Sequence, residues 1–256
     1  MAKQRIQIRL YGVPAGGAGG VGGDISRASG GFIYVTKASN PAKATLFTKT
    51  NTAQANGFAL TSGGAEFFIE DSVDTSVDVF IMSPTGHFLV RYGVTPGFLE
   101  LPVDFQQRRQ MAVVPFAAAD YAANTELTTG FVFPRCIIES PNVGVMVHTL
   151  EAARTLACGF LSTETGGAAA GFMTGMTLAA TGQTAATLAA GAITLGSVLQ
   201  VLTTGGTVPV PRPFPCSGAA TFARTLGLTT SAGTVTARGY LQIPYTLTGD
   251  QPSANP

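Results

Sequence analysis

The chain contains no tryptophan, two histidines and three cysteines in 256 residues, and only 11% of its residues are charged. Each scarcity excludes something. Two histidines, His87 and His148, leave few members for a Ser–His–Asp triad or a histidine-rich metal site, and neither lies near a G-x-S-x-G serine elbow. His87 reads as an exposed turn residue and His148 as a hydrogen-bonded or surface group on a strand. Without Trp, the usual sugar-stacking platform is missing, although Tyr or Phe can serve in its place. Cys136, Cys158 and Cys216 form no Cys-x-x-Cys motif and have no histidine close in sequence, so they read as three reduced, mostly buried thiols.

The formal net charge is +1, and Arg108-Arg109 is the only adjacent basic pair. Non-specific nucleic-acid binding works by clustered cations that displace counterions, so nucleic acid is excluded as a partner. The amino-terminal Met1-Ala2-Lys3-Gln4-Arg5 leads into a strand-like segment without an apolar signal region, which predicts assembly in a reducing cytoplasm. The uncharged stretch from Thr165 to Pro211 is interrupted by glycine and threonine too often to supply the ~20 apolar residues of a spanning helix, so no membrane is expected.

What is present is an apolar chain, 45% hydrophobic with a mean hydropathy of +0.29, which separates it from disordered glycine-rich sequences. Residues 1–110 carry 18 charges and residues 111–256 only 11. A surface built from Thr, Ser, Gly and Ala has little charge to hold neighbours apart, and it suits burial between subunits.

Residues 5–11 alternate polar and apolar side chains and predict a strand with Ile6, Ile8 and Leu10 on one face. Gly12 to Gly31 follows as a glycine-rich loop or contact arm, ordered by its neighbours in an assembly. Short strands are predicted over 32–36, 44–49, 58–61, 65–70, 77–82, 88–92 and 99–103, separated by turn-formers such as Asn56-Gly57 and Thr95-Pro96-Gly97. The polar run Asp104 to Gln110 is the linker, dividing the chain into residues 1–105 and 106–256. About eight longer strands are predicted beyond it, over 112–117, 127–133, 143–150, 155–162, 172–179, 193–202, 220–228 and 234–247. The fold class is therefore all-β: a small antiparallel β-sandwich or barrel, followed by a jelly-roll-like β-sandwich. A helix over 176–202 is the rival, and its Thr and Gly content favours strands. Val208-Pro-Val-Pro-Arg-Pro-Phe-Pro215 must be extended and belongs at an edge or a surface crossing.

The segment Gly17-Ala-Gly19-Gly-Val-Gly22 matches G-x-G-x-x-G, but no helix begins after it and no acidic residue lies about 20 positions on, so nucleotide binding is rejected. Glu66, Glu70, Asp71, Asp74 and Asp78 are the candidates for a glycosidase pair or a cation site, and their spacing reads instead as a solvated strand and turn edge. No catalytic, cofactor-binding or metal-binding residue is assigned, and no cofactor is expected.

Residues 76–88 (SVDVFIMSPTGHF), 129–134 (TGFVFP), 161–172 (LSTETGGAAAGF) and 239–245 (GYLQIPY) resemble the structural and decoration proteins of tailed-bacteriophage heads. That resemblance implies a non-enzymatic cement protein made in the host bacterial cytoplasm and carried on the capsid surface of the virion. Its partners would be copies of itself, often as trimers, and the major capsid protein. A tail, collar or head-fibre component is the nearest alternative, with a carbohydrate-binding spike domain or a surface-layer subunit beyond it.

Overall fold

In β1 (Lys3–Val13) the period-two alternation buries Ile6, Ile8 and Leu10 and leaves Arg5, Arg9 and Tyr11 in solvent. The computed structural model describes residues 3–13, 31–61, 64–70, 73–83, 86–104, 109–117, 126–140, 143–185, 194–197, 199–202, 209–216, 224–231 and 237–248. Among these residues the protein is all-β, with no helix, and it divides into two compact units that meet in sequence between Arg108 and Arg109. Most of the glycine-rich segment, residues 14–30, lies outside the described residues.

Unit 1 contains β1, β2 (Phe32–Lys37), β3 (Leu46–Phe47), β4 (Ala53–Gln54), β5 (Phe58–Ala59), β6 (Gly64–Glu70), β7 (Val77–Met82), β8 (Phe88–Val94) and β9 (Gly97–Asp104). One sheet has the order β4-β3-β6-β1-β9 and the other β5-β2-β7-β8. Ile6, Ile8 and Leu101 of the first share a core with Ile33, Val35 and Val79 of the second, which makes the unit a sandwich rather than a closed barrel. Every pairing is antiparallel except β1 with β9, which run parallel from Ile6 opposite Gly97 to Val13 opposite Asp104. A parallel pair needs a long crossover, and β2 to β8 supply it. Turn residues predict only the hairpins between neighbours and say nothing of this closing pair.

Unit 2 contains β10 (Arg109–Ala117), β11 (Glu126–Val132), β12 (Cys136–Ile138), β13 (Gly144–Thr149), β14 (Glu151–Phe160), β15 (Ala168–Leu178), β16 (Gly182–Ala185), β17 (Thr194–Leu195), β18 (Gln200–Leu202), β19 (Pro209–Pro211), β20 (Phe214–Cys216), β21 (Thr225–Thr230) and β22 (Arg238–Leu247). One sheet runs β16-β13-β22-β12-β20 with β10 on the other side of β22; the second runs β11-β21-β14-β15-β17; β18 and β19 form a separate ribbon. Phe133 meets Phe160 of β14, Phe172 of β15 and Tyr245 of β22 edge-on at 6.2, 5.9 and 5.8 Å between ring centroids. This aromatic cluster packs the two sheets together as a sandwich, each T-shaped contact adding ~0.5–1.5 kcal/mol beyond area burial. Several strands have only two to four residues, where the sequence predicts longer ones. The described part of 176–202 is strand and turn, not helix.

Proline placement shows why the edges stay open. Arg212 N–H donates to Leu199 O at 2.8 Å, so in β19 and the residue after it Val210 and Arg212 turn their backbone groups toward β18. Pro209 and Pro211 then face away. In β12, Arg135 O accepts from Thr248 N–H and Glu139 N–H donates to Pro244 O, which commits the odd-numbered residues to β22 and the even-numbered ones to β20. Pro215, opposite Ile137, accordingly also points its nitrogen outward. The alternation of proline through 209–215 removes every second N–H, and the N–H groups removed are those facing away from β18 and β12, on edges that no strand pairs among the described residues. Pro244, in the middle of β22, falls between Gln242, the last partner of β13, and Tyr245, the first partner of β12.

Candidate interaction surface

Among the described residues the side chains with catalytic potential are dispersed, and Glu66, Glu70 and Asp78 are each engaged by a partner. Glu66 and Glu70 lie four residues apart on β6, ~13 Å along a strand, beyond the reach of a glycosidase pair. Each faces a cation of β1, Glu70 with Lys3 at 3.7 Å and Glu66 with Arg5 at 3.8 Å. Asp78 departs from the solvated edge the sequence predicts. It is 2% exposed, and its two carboxylate oxygens accept the N–H groups of Ser39 and Gly93, each at 2.8 Å. Ser39 and Gly93 have φ of 57° and 63°, so the carboxylate pins two left-handed turns. Asp74 is also buried, and Asp71 lies outside the described residues.

His87 is buried rather than exposed, because its turn folds back onto Ser83: Ser83 N–H donates to His87 O at 2.8 Å, and His87 N–H donates to Ser83 Oγ at 2.9 Å. His148 is exposed on β13. Among the described residues no three His, Cys, Asp or Glu side chains gather as a metal site. Gly17 to Gly22 lie outside the described residues.

The surface that stands out is the outer face of the β16-β13-β22-β10 sheet in unit 2. Its inner face is apolar, with Ala112, Val114, Val145, Leu241 and Ile243 buried. An antiparallel sheet with one buried face ordinarily carries polar and charged side chains on the other. Here register places Met111 and Val113 of β10, Tyr240 and Gln242 of β22, and Met146 of β13 on the outer face. Met111 and Met146 are 41% and 43% exposed. Gln183 of β16 completes the face through its Nε2 donating to Gln242 Oε1 at 2.7 Å. The charges lie at the two ends of the strands, in the Arg109–Glu139 ion pair at 2.8 Å and at Arg238. Between those ends the face carries no Lys, Arg, Asp or Glu; its ionisable groups there are the phenol of Tyr240 and the imidazole of His148, which follows Met146 in the same exposed phase of β13. The sequence carried a signal for this: in Val143-Gly-Val-Met-Val-His-Thr-Leu150, Met146 occupies the phase where a polar residue belongs.

Unit 1 has an apolar exposure of its own. Tyr92 and Phe98 flank an open cleft of about 320 Å³ formed by the β8–β9 turn, and they are 66% and 56% exposed. Tyr92 meets Phe80 edge-on at 6.3 Å. Partial burial, with the Asp78 carboxylate nearby, holds its phenol above the usual range.

No protein-family model, curated protein or solved structure matches the chain.

Proposed function

We propose that the protein is a non-enzymatic structural component of a virus particle, a decoration or cement protein of a tailed-phage capsid that acts by contact with copies of itself and with the capsid shell. The observation that carries this reading is the outer face of the β16-β13-β22-β10 sheet, which has no Lys, Arg, Asp or Glu between its two ends. Methionine and tyrosine are favoured at the centres of protein interfaces and charge is depleted there, which is the composition of this face. The proline-edged strands bear on geometry: an edge without donors resists strand addition, so association would proceed through sheet faces. The jelly-roll comparison belongs to the same proposal, since sandwiches of this type recur in capsid proteins.

The deciding experiment is the copy number of the chain in purified particles. Hundreds of copies indicate a shell component, about a dozen a collar or tail, and none removes the protein from the virion. The exposed Tyr92 and Phe98 beside an open cleft favour a second reading, a carbohydrate-binding spike domain in which these rings stack on sugar faces. Glycan-array binding lost in Tyr92→Ala would support that reading over the first.

A further inference from the structure

Cys136 and Cys216, far apart in sequence, are directly opposite each other on β12 and β20. Both side chains are buried, at 1% and 3% exposure, on the inner side of their sheet, and both are thiols. The backbone bonding of β12 directs its even-numbered residues to β20, so the two cysteines occupy a hydrogen-bonded antiparallel pair. In such pairs the Cα atoms are ~5.5 Å apart, within the ~4.4–6.8 Å that a disulfide spans. We propose that Cys136 and Cys216 are a preorganised dithiol that closes to an intramolecular cross-strand disulfide when the protein meets a disulfide donor, clasping the terminal strand β20 to its sheet, while Cys158 stays reduced.

Three observations point the same way. The Cys136 thiol shares a hydrogen bond with Cys216, so the sulfurs already face each other; that bond, then burial, holds Cys136 far above the ordinary thiol range. β20 is three residues long with proline at its centre, so its backbone attachment is short and a covalent tie has something to add. Cys158 sits in the other sheet, fully buried in β14, with its thiol pushed up to about 12 by desolvation.

The chemistry balances with a donor such as oxidised glutathione. β20 ends its sheet, so Cys216 is exposed first when the strand frays. Its thiolate attacks one glutathione sulfur, forming a mixed disulfide and expelling a glutathione thiolate. Cys136 then attacks the Cys216 sulfur, expelling the second. Two protein thiols are oxidised, one glutathione disulfide is reduced, and the two protons pass to the glutathiones. Closing a long loop limits the unfolded chain, so the oxidised form is the more heat-resistant.

The test uses the whole chain, treated with oxidised glutathione at pH 8 and then alkylated under denaturing, non-reducing conditions. Peptide mass spectrometry should find one linkage, Cys136 to Cys216, with Cys158 alkylated. The melting midpoint should rise by several degrees, reversibly with dithiothreitol, in the wild type and in Cys158→Ala but not in Cys216→Ser. Linkages through Cys158, linkages only between molecules, or complete alkylation of all three cysteines would overturn the proposal. Mass spectrometry of the wild type decides it even if the serine variant fails to fold.

Discussion

Asn56 holds Val35 by both of its backbone groups: its Oδ1 accepts the Val35 N–H at 3.0 Å, and its Nδ2 donates to the Val35 carbonyl at 2.6 Å. The same Nδ2 donates to Ala44 O at 2.7 Å. The side-chain amide thus supplements a single antiparallel bridge beside β2, Thr36 with Lys43, in which Ala44 N–H also donates to Val35 O at 3.1 Å. Asn56→Ala should destabilise unit 1 by about 2–4 kcal/mol, since it removes four bonds, the Gly57 N–H to Oδ1 bond included, and leaves the Val35 N–H and the Ala44 carbonyl without these partners. Chemical denaturation would measure the loss, and hydrogen exchange at the Val35 amide should accelerate before that of β7.

Glu164 gives unit 2 a defined acid sensitivity. Burial alone would raise its carboxyl; hydrogen bonds from Thr225 Oγ1 and from the Thr225 and Arg224 N–H groups, with the Arg224 charge, outweigh burial and hold it below its ordinary value. A carboxyl lowered in the folded state contributes stability above its unfolded value, near 4.5, and loses it as pH falls through the folded value. The wild-type melting midpoint should thus fall as pH drops below about 4.5, and Glu164→Gln should flatten that segment of the profile while lowering the midpoint at pH 7. An unchanged profile in the variant would show that the carboxylate contributes nothing to folding.

The proline edge is testable in isolation. Pro213→Ala with Pro215→Ala restores two donors on the free edge of β20 and should change folding stability by no more than ~1 kcal/mol, because both positions already hold an extended backbone. Aggregation on prolonged incubation, followed by thioflavin fluorescence and light scattering, should accelerate. An unchanged aggregation rate would mean that the edge is protected by something other than missing donors.

These features differ in how far the sequence discloses them. The strand at 77–82 is read to the residue because its six apolar or buried positions lie between clear turn signals, and β1 is read from its alternation. Strands of two or three residues, such as β4 and β20, are too short to show a period, and the parallel β1–β9 pair depends on tertiary closure. Glycine misleads in its own way. Gly159 and Gly196 lie where a Cβ would collide with the carbonyls of Ala168 and Ala170, so they serve close approach of strands rather than turns. Asp78 was legible as a charge but not as a buried clamp, and the Cys136–Cys216 pair was invisible because no spacing rule connects residues joined only by sheet register.

The outer face of unit 2 carries the last prediction. If Met111, Tyr240 and Met146 are contact residues, each contributes by being removed from water against a partner, and a charge placed among them must be buried or must keep the partner away. Met146→Glu and Met111→Lys are suitable because both side chains are already more than 40% exposed, so the folded monomer has room for the charged group. The two substitutions carry opposite charges, which separates a general loss of apolar contact from an effect of one sign. Sedimentation velocity should show the wild type associating at micromolar concentration, and each variant should weaken that association by about tenfold or more, equivalent to ~1.4 kcal/mol. Circular dichroism and melting should stay close to wild type, since neither side chain belongs to the core. Tyr92→Ala, on unit 1, serves as the control surface and should leave association unchanged. A wild type that remains monomeric at high concentration, or variants that associate like the wild type, would remove this face from the proposed assembly and leave the low charge of the second half without a contact to explain it.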